Sequence, residues 1–160
     1  MTGSPETGRR VARVHELSLQ VAIRSVQSEV SPVLGRITDW LGTHKINRNF
    51  VEEVELVTAE ALNNVVEHAY LYAEDGEIRI LVSLRPGKLQ VQITDGGRKF
   101  DGPPPETKMD VEKFAFEELP EGGFGWNLIR SLTDEVAFER AGEKNRLTLT
   151  RRLPETAGAG

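Results

Sequence analysis

The spacing of apolar and polar positions divides the chain into a strand, two helices, a hairpin, a further helix and a last hairpin. Leu17, Leu19, Val21 and Ile23 alternate with polar or small residues, the period of a half-buried strand. Ser31-Pro32 reads as an N-cap and first helical position, with Val30, Leu34, Ile37 and Leu41 at helical spacing and Gly42 at the end. Val51, Val54, Ala61, Val65 and Ala69 stack along one side of a second helix, predicted from about Asn49 to Tyr70. After Asp75-Gly76, Ile78, Ile80, Val82 and Leu84 alternate, Arg85-Pro86-Gly87-Lys88 turns the chain, and Leu89, Val91 and Ile93 alternate on the return. Beyond Gly125, Leu128, Ile129 and Leu132 predict a short helix, and Val136 and Phe138 are predicted to pair with Leu147 and Leu149. Helices and strands are grouped rather than regularly alternating, which predicts an α+β fold: a largely antiparallel sheet with helices on one face.

Between Asp101 and Gly123 the pattern fails. Gly102 and three consecutive prolines leave only a short apolar patch at Val111, Phe114, Phe116 and Leu119. A loop of that length inside a compact domain is usually functional or disordered. The two ends, rich in Gly, Pro, Thr and Ser, are predicted to be disordered over residues 1–12 and 154–160, leaving one domain over 13–153.

A chain of 160 residues is enough for one core and short for two. Its formal net charge of −5 gives no general attraction to nucleic-acid phosphates or anionic lipid, so neither is an expected partner. The absence of cysteine removes disulfides, thiolate metal sites and cysteine nucleophiles together. The polar opening MTGSPETGRR lacks the apolar core of a signal peptide, and no run approaches the roughly 20 apolar residues of a membrane helix. These features predict a soluble, cytoplasmic protein.

Three segments could carry chemistry. In EALNNVVEHA, Glu60, Asn64 and His68 recur at intervals of four, which on an ideal helix places them at the margin of the apolar stripe. There a carboxylate could take a proton and an amide oxygen could ligate Mg²⁺; a solvated helix edge has the same spacing. In TDGGRKF, Asp95 at a strand end precedes two glycines, which offers a fixed acceptor for an exocyclic amine beside approachable backbone, or simply a turn. In EGGFGWNLIR, Gly122, Gly123 and Gly125 lead into a helix whose free N–H groups suit phosphate oxygens; a flexible connector would look similar. The three together, with a long segment between the second and third, form the parts of a nucleotide pocket with a lid.

With these segments in this order, the chain resembles the GHKL ATPase superfamily, and within it the anti-sigma factor serine/threonine kinases of the RsbW type. EALNNVVEHAY is similar to the family's N box, DGGRKF to its G1 box and GGFGWNLIRSLTDEV to its G2 box; the likeness runs from about Leu17 to Arg152. The resemblance implies a Bergerat ATP-binding fold, a two-layer α/β sandwich with a mixed, mostly antiparallel sheet. It implies that Glu60 is the general base, that Asn64 ligates Mg²⁺ and that His68 lies near the phosphates. It implies that Asp95 bonds the adenine amino group, with Gly97 leaving room for the ring and Phe100 closing its side. Gly122, Gly123, Phe124 and Gly125 then form the phosphate-wrapping loop, and residues 101–122 the ATP lid. Lys99 stands where many members have a small residue, and Asn145 matches a polar position near the adenine in some.

The superfamily also holds chaperones, topoisomerases, mismatch-repair proteins and sensor histidine kinases, so the fold does not give the function. The chain is short for a transducer domain or a phosphoacceptor helix. The expected function is therefore that of a partner-switching kinase, a homodimer that binds a sigma factor and, with Mg-ATP, phosphorylates a small anti-anti-sigma protein of the STAS type. Two other readings are a non-catalytic ATP-binding module that sequesters a sigma factor or other regulator, and a detached histidine-kinase ATPase domain.

Overall fold

A computed structural model describes residues 16–100 and 123–154 of the chain. The expected disordered N-terminus, the expected lid and residues 155–160 of the expected tail lie outside the described residues. Five strands and three helices follow in the predicted order: β1 (Leu17–Arg24), α1 (Val30–Thr43), α2 (Arg48–Asn64), β2 (Glu77–Arg85), β3 (Lys88–Asp95), α3 (Gly123–Ser131), β4 (Glu135–Ala141) and β5 (Lys144–Arg152). The sheet order is β1-β2-β3-β5-β4, and each of its four pairings is antiparallel. Among the described residues the expected mostly antiparallel sheet is thus antiparallel throughout, and the fold is α+β as predicted. None of the described helices is long and apolar enough to cross a membrane.

One face of the sheet makes the core. Val21, Ile80, Val82, Val91, Ile93, Leu147 and Leu149 are buried there with Ile37 and Leu41 of α1, Val54, Ala61 and Leu62 of α2, and Ile129 of α3. Each large aliphatic side chain so buried stabilises the fold by about 1.5–3 kcal/mol. The last hairpin forms where predicted, and its register sets Val136 opposite Leu149 and Phe138 opposite Leu147. Its tight turn holds Gly142 at φ +61.

The helix boundaries differ in detail from expectation. Ser31 is not the N-cap of α1: a 3-10 turn over Gln27–Glu29 runs directly into the helix, and Ser31 and Pro32 fall within its first turn. Proline is tolerated there because first-turn N–H groups have no intrahelical partner. The helix passes Gly42 and stops after Thr43, where Lys45 takes the left-handed conformation. Asn47 caps α2, its side-chain oxygen accepting from the N–H groups of Asn49 and Phe50 at 2.9 and 3.4 Å.

The predicted second helix is broken in kind. It is α-helical to Asn64 and then opens into a π turn over Val65–Ala69, where the Tyr70 N–H donates to the Val65 carbonyl at 3.1 Å. Such wide single turns inside α-helices are frequent at functional sites. Here the turn offers the Ala69 carbonyl sideways to the chain leaving β3, and the Arg98 N–H donates to it at 2.9 Å.

Contact this close explains Gly97: a Cβ there would lie 2.5 Å from the Ala69 oxygen and 2.7 Å from its carbonyl carbon, both backbone atoms. Gly97→Ala is therefore expected to lower stability by about 1–3 kcal/mol, the usual cost of overpacking. Urea unfolding would register this as a lower midpoint, and an unchanged midpoint would mean that the loop does not pack on the π turn.

Candidate functional site

The first and third sequence segments meet where α2 faces the start of α3, and the second, at the end of β3, packs on the π turn that follows α2. Asn64, the last α-helical residue of α2, is 7% exposed, and its amide nitrogen is buried without a hydrogen-bond partner among the described residues. Glu60 is half-buried one turn earlier. Gly125, in the first turn of α3, faces both: a Cβ there would lie 3.1 Å from Glu60 Oε2, and 3.8 and 3.9 Å from the two side-chain atoms Nδ2 and Oδ1 of Asn64. The helix start, whose leading N–H groups have no intrahelical acceptor, thus stands directly over the carboxylate and the amide. Gly123 opens α3 and Phe124 follows it, whereas Gly122 lies outside the described residues.

The inward face of the sheet supplies the second half. Asp95 closes β3 and is 3% exposed. One of its oxygens, Oδ1, accepts from the Gly97 N–H at 2.9 Å and from Asn145 Nδ2 at 2.8 Å. Burial pushes the Asp95 pKa up, against the opposing effects of the Asn145 and Gly97 hydrogen bonds and the nearby Arg140 charge. Among the described residues nothing donates to Oδ2, the other oxygen.

The loop after β3 is braced from two more directions. The Tyr70 hydroxyl accepts from the Gly96 N–H at 2.8 Å and donates to the Glu77 carbonyl at 2.6 Å. Burial raises the Tyr70 pKa, so the phenol keeps its proton and can make both bonds. Tyr70→Phe is expected to cost about 1–2 kcal/mol of stability, since it leaves the Gly96 N–H and the Glu77 carbonyl without their partner. Thermal unfolding tests this, and a wild-type midpoint would show that water replaces the hydroxyl at no cost.

His68 and Phe100 meet each other: their rings stack with centroids 6.4 Å apart, and Phe100 also makes an edge contact with Phe138 at 5.1 Å. The backbone carbonyl of His68 accepts from Arg98 Nε at 2.8 Å. The π turn takes up more residues per turn than an α-helix, so His68 does not continue the Glu60–Asn64 spacing.

Glu60, Asn64 and Gly125 are therefore brought together, while Asp95 and Gly97 are joined to each other and Phe100 stacks on His68. The resemblance had matched Asn145 to a polar position near the adenine in some members, whereas no role had been expected of Tyr70, Arg98 or Arg140. Inward parity was the available signal for Arg140, because Val136, Phe138 and Arg140 share one face of β4.

Among the described residues no group of three or more His, Cys, Asp or Glu side chains could hold a metal ion. The donors at the site are instead the Asn64 amide and the Glu60 carboxylate. Hard oxygen donors in small number suit Mg²⁺ that arrives with phosphate ligands of its own: Asn64 Oδ1 would face the metal, the buried Asn64 Nδ2 is a donor that would suit a phosphate oxygen, and the absence of a Cβ at Gly125 keeps the space open. A separate cleft of about 280 Å³ reaches Asp95 and Gly96 between Tyr70, Arg79, Thr94 and Lys144; neither Glu60 nor Asn64 lines it.

The family model of the histidine kinase-like ATPase domain matches residues 23–151. The chain is 37% identical over 90 residues to the Serine-protein kinase RsbW of Bacillus cereus (strain AH820) and to that of Bacillus thuringiensis (strain Al Hakam), covering 54% of this chain and 54% of each relative. It thus spans about half the length of the curated relatives it matches. A crystal structure of the RsbU and RsbW domains of Rv1364c from Mycobacterium tuberculosis superposes with a TM-score of 0.61 at 18% identity, over 86% of this chain and 32% of that one. At that identity the likeness is one of fold.

Proposed function

The chain belongs to the histidine kinase-like ATPase domain family, and from that premise we propose that it binds Mg-ATP and phosphorylates a serine or threonine of a small anti-anti-sigma protein of the STAS type. The same protein would hold a sigma factor when the antagonist is absent or phosphorylated, and would act as a homodimer in the cytoplasm. One observation supports the catalytic part of this reading: the first turn of α3 lies against Glu60 and Asn64 at Gly125, an arrangement that would set the N–H groups of a helix start, a carboxylate and an amide about one phosphate.

In this reading Asp95 Oδ2 accepts the adenine amino group, Gly97 keeps the backbone low beside the ring and Phe100 walls its side. The N–H groups from Gly122 to Gly125 receive phosphate oxygens, with His68 nearby. Asn64 holds Mg²⁺ through its oxygen. The metal, when bound, screens the phosphate charge that otherwise repels an incoming hydroxyl. Glu60 takes the proton of that hydroxyl. Phosphoryl transfer of this kind rests on positioning and charge stabilisation rather than on covalent chemistry by the protein.

The test is transfer of label from radiolabelled ATP to a purified STAS-type anti-anti-sigma protein. Acid-stable label on serine or threonine is the expected result. Acid-labile label would turn the assignment toward a histidine kinase, and no label with retained partner binding would turn it toward a sequestering module.

A further inference from the structure

Three side chains form a continuous row across neighbouring strands at the polar end of the sheet. Asp95 of β3 is the register partner of Asn145 of β5, and Asn145 is the register partner of Arg140 of β4. All three face the helices. Arg140 Nη1 donates to the Asn145 oxygen at 3.0 Å and to the Gly97 carbonyl at 2.9 Å. Asn145 Nδ2 in turn donates to Asp95 Oδ1 at 2.8 Å and to the Arg98 carbonyl at 2.9 Å. Asn145 is 1% exposed, so these bonds are shielded from water.

The row has only one chemically consistent orientation. An amide presents two donor hydrogens at nitrogen and an acceptor at oxygen, whereas guanidinium only donates and carboxylate and carbonyl oxygens only accept. Turning the Asn145 amide over would set its nitrogen against Arg140 and its oxygen against both Asp95 and the Arg98 carbonyl. The network thus directs two donors at Asp95 Oδ1 and none at Oδ2. Arg140 reaches the same loop directly through the Gly97 carbonyl, so one guanidinium fixes both the acceptor and the backbone beside it. Its charge also opposes the burial that raises the Asp95 pKa; among the described residues the Tyr70 phenol also interacts with that carboxyl, and Glu77, Arg79 and Lys144 line the cleft that reaches it.

We propose that Arg140 is a positioning residue for purine recognition, holding Asn145, Asp95 and the loop at Gly97 so that the free Asp95 oxygen meets an exocyclic amine. The proposal rests on the nucleotide reading of the site. Arg140 need not touch the nucleotide; it acts through Asn145 and the loop.

Binding of ATP and of inosine triphosphate, which lacks the amine, separates this role from a merely structural one. Wild type, Arg140→Met and Arg140→Lys would be compared by titration calorimetry on the full chain, with circular dichroism verifying that each is folded. Wild type is expected to prefer ATP. Arg140→Met should lose roughly tenfold in ATP affinity, as expected for removal of charge-assisted hydrogen bonds, with little change for inosine triphosphate. Arg140→Lys, which keeps a charged donor, should recover part of the preference. If Arg140→Met keeps the wild-type ratio of the two affinities, or both fall together, Arg140 does not position the acceptor. If wild type binds neither nucleotide, the nucleotide reading itself fails, and this inference with it.

Discussion

Asp95→Asn is expected to weaken ATP binding by roughly 100-fold or more while leaving the protein folded, the energy of a buried donor set against a donor. Asparagine keeps an acceptor where Asp95 Oδ1 receives the Gly97 and Asn145 N–H groups, so the loop can hold its shape. In place of Oδ2 it offers an NH₂ group, which repels the adenine amine that the carboxylate would accept. Stability should follow a different course from binding. Burial raises the Asp95 pKa, so between the ordinary carboxylate value and the raised one the native state holds a proton that the unfolded chain has released. That contribution is fully present below the ordinary value and is lost as pH rises through the window. At neutral pH the wild type therefore carries the cost of a buried charge that Asp95→Asn removes, and the variant should unfold no earlier than wild type. As pH falls through the window, wild type should gain relative to the variant. Calorimetric binding with urea unfolding at two pH values measures both. Undiminished ATP affinity would remove Asp95 from the site, and a variant much less stable at neutral pH would show that the carboxylate is structural.

The second large effect is expected at Glu60. Replacing it with alanine removes the carboxylate that lies against the first turn of α3 at Gly125. A positioned general base contributes about 100- to 10,000-fold to rate, so phosphate transfer to the antagonist should fall by that order. ATP affinity should change little, because adenine and phosphate contacts are assigned elsewhere. Partner binding should persist. Single-turnover transfer and equilibrium ATP binding, measured side by side, separate these effects. Equal transfer by wild type and Glu60→Ala would sink the assignment of the base, and loss of binding in step with transfer would make Glu60 a ligand-holding residue.

Much of the fold was legible because it depends on local periodicity. The alternation in Ile78–Leu84 and Leu89–Ile93 placed a hairpin, and the structure pairs Ile80 with Ile93 and Val82 with Val91. Helix ends were less legible. Ser31-Pro32 has a strong N-cap signature, yet the 3-10 turn before it runs directly into the helix, and its Glu29 side chain accepts from the Arg24 N–H at the end of β1 at 2.6 Å, a tertiary contact the dipeptide does not encode. The π turn was invisible to a reading that assumed about 100° per residue throughout, since Val65, Val66 and Ala69 are apolar in either geometry.

The site divides along the same line. Asp95, Gly97, Glu60, Asn64 and the glycines before α3 stand out in the sequence because each departs from its local pattern: an acid ending an apolar strand, an acid and an amide beside a buried stripe, glycines opening a helix. Sequence alone therefore determined the element order, the inward faces and the residues that could carry chemistry. Tertiary structure decided which of them meet and what holds them. It put Gly125 over Glu60 and Asn64, set Gly97 against the Ala69 carbonyl, and linked Asp95 through Asn145 to Arg140. Local patterns report the free energy of burying one face of one element, which nearest neighbours along the chain encode. Hydrogen-bond partners 43 to 50 residues apart, such as Arg140 with Gly97 and Asn145 with Asp95, depend on strand order and register, which exist only once the sheet has formed.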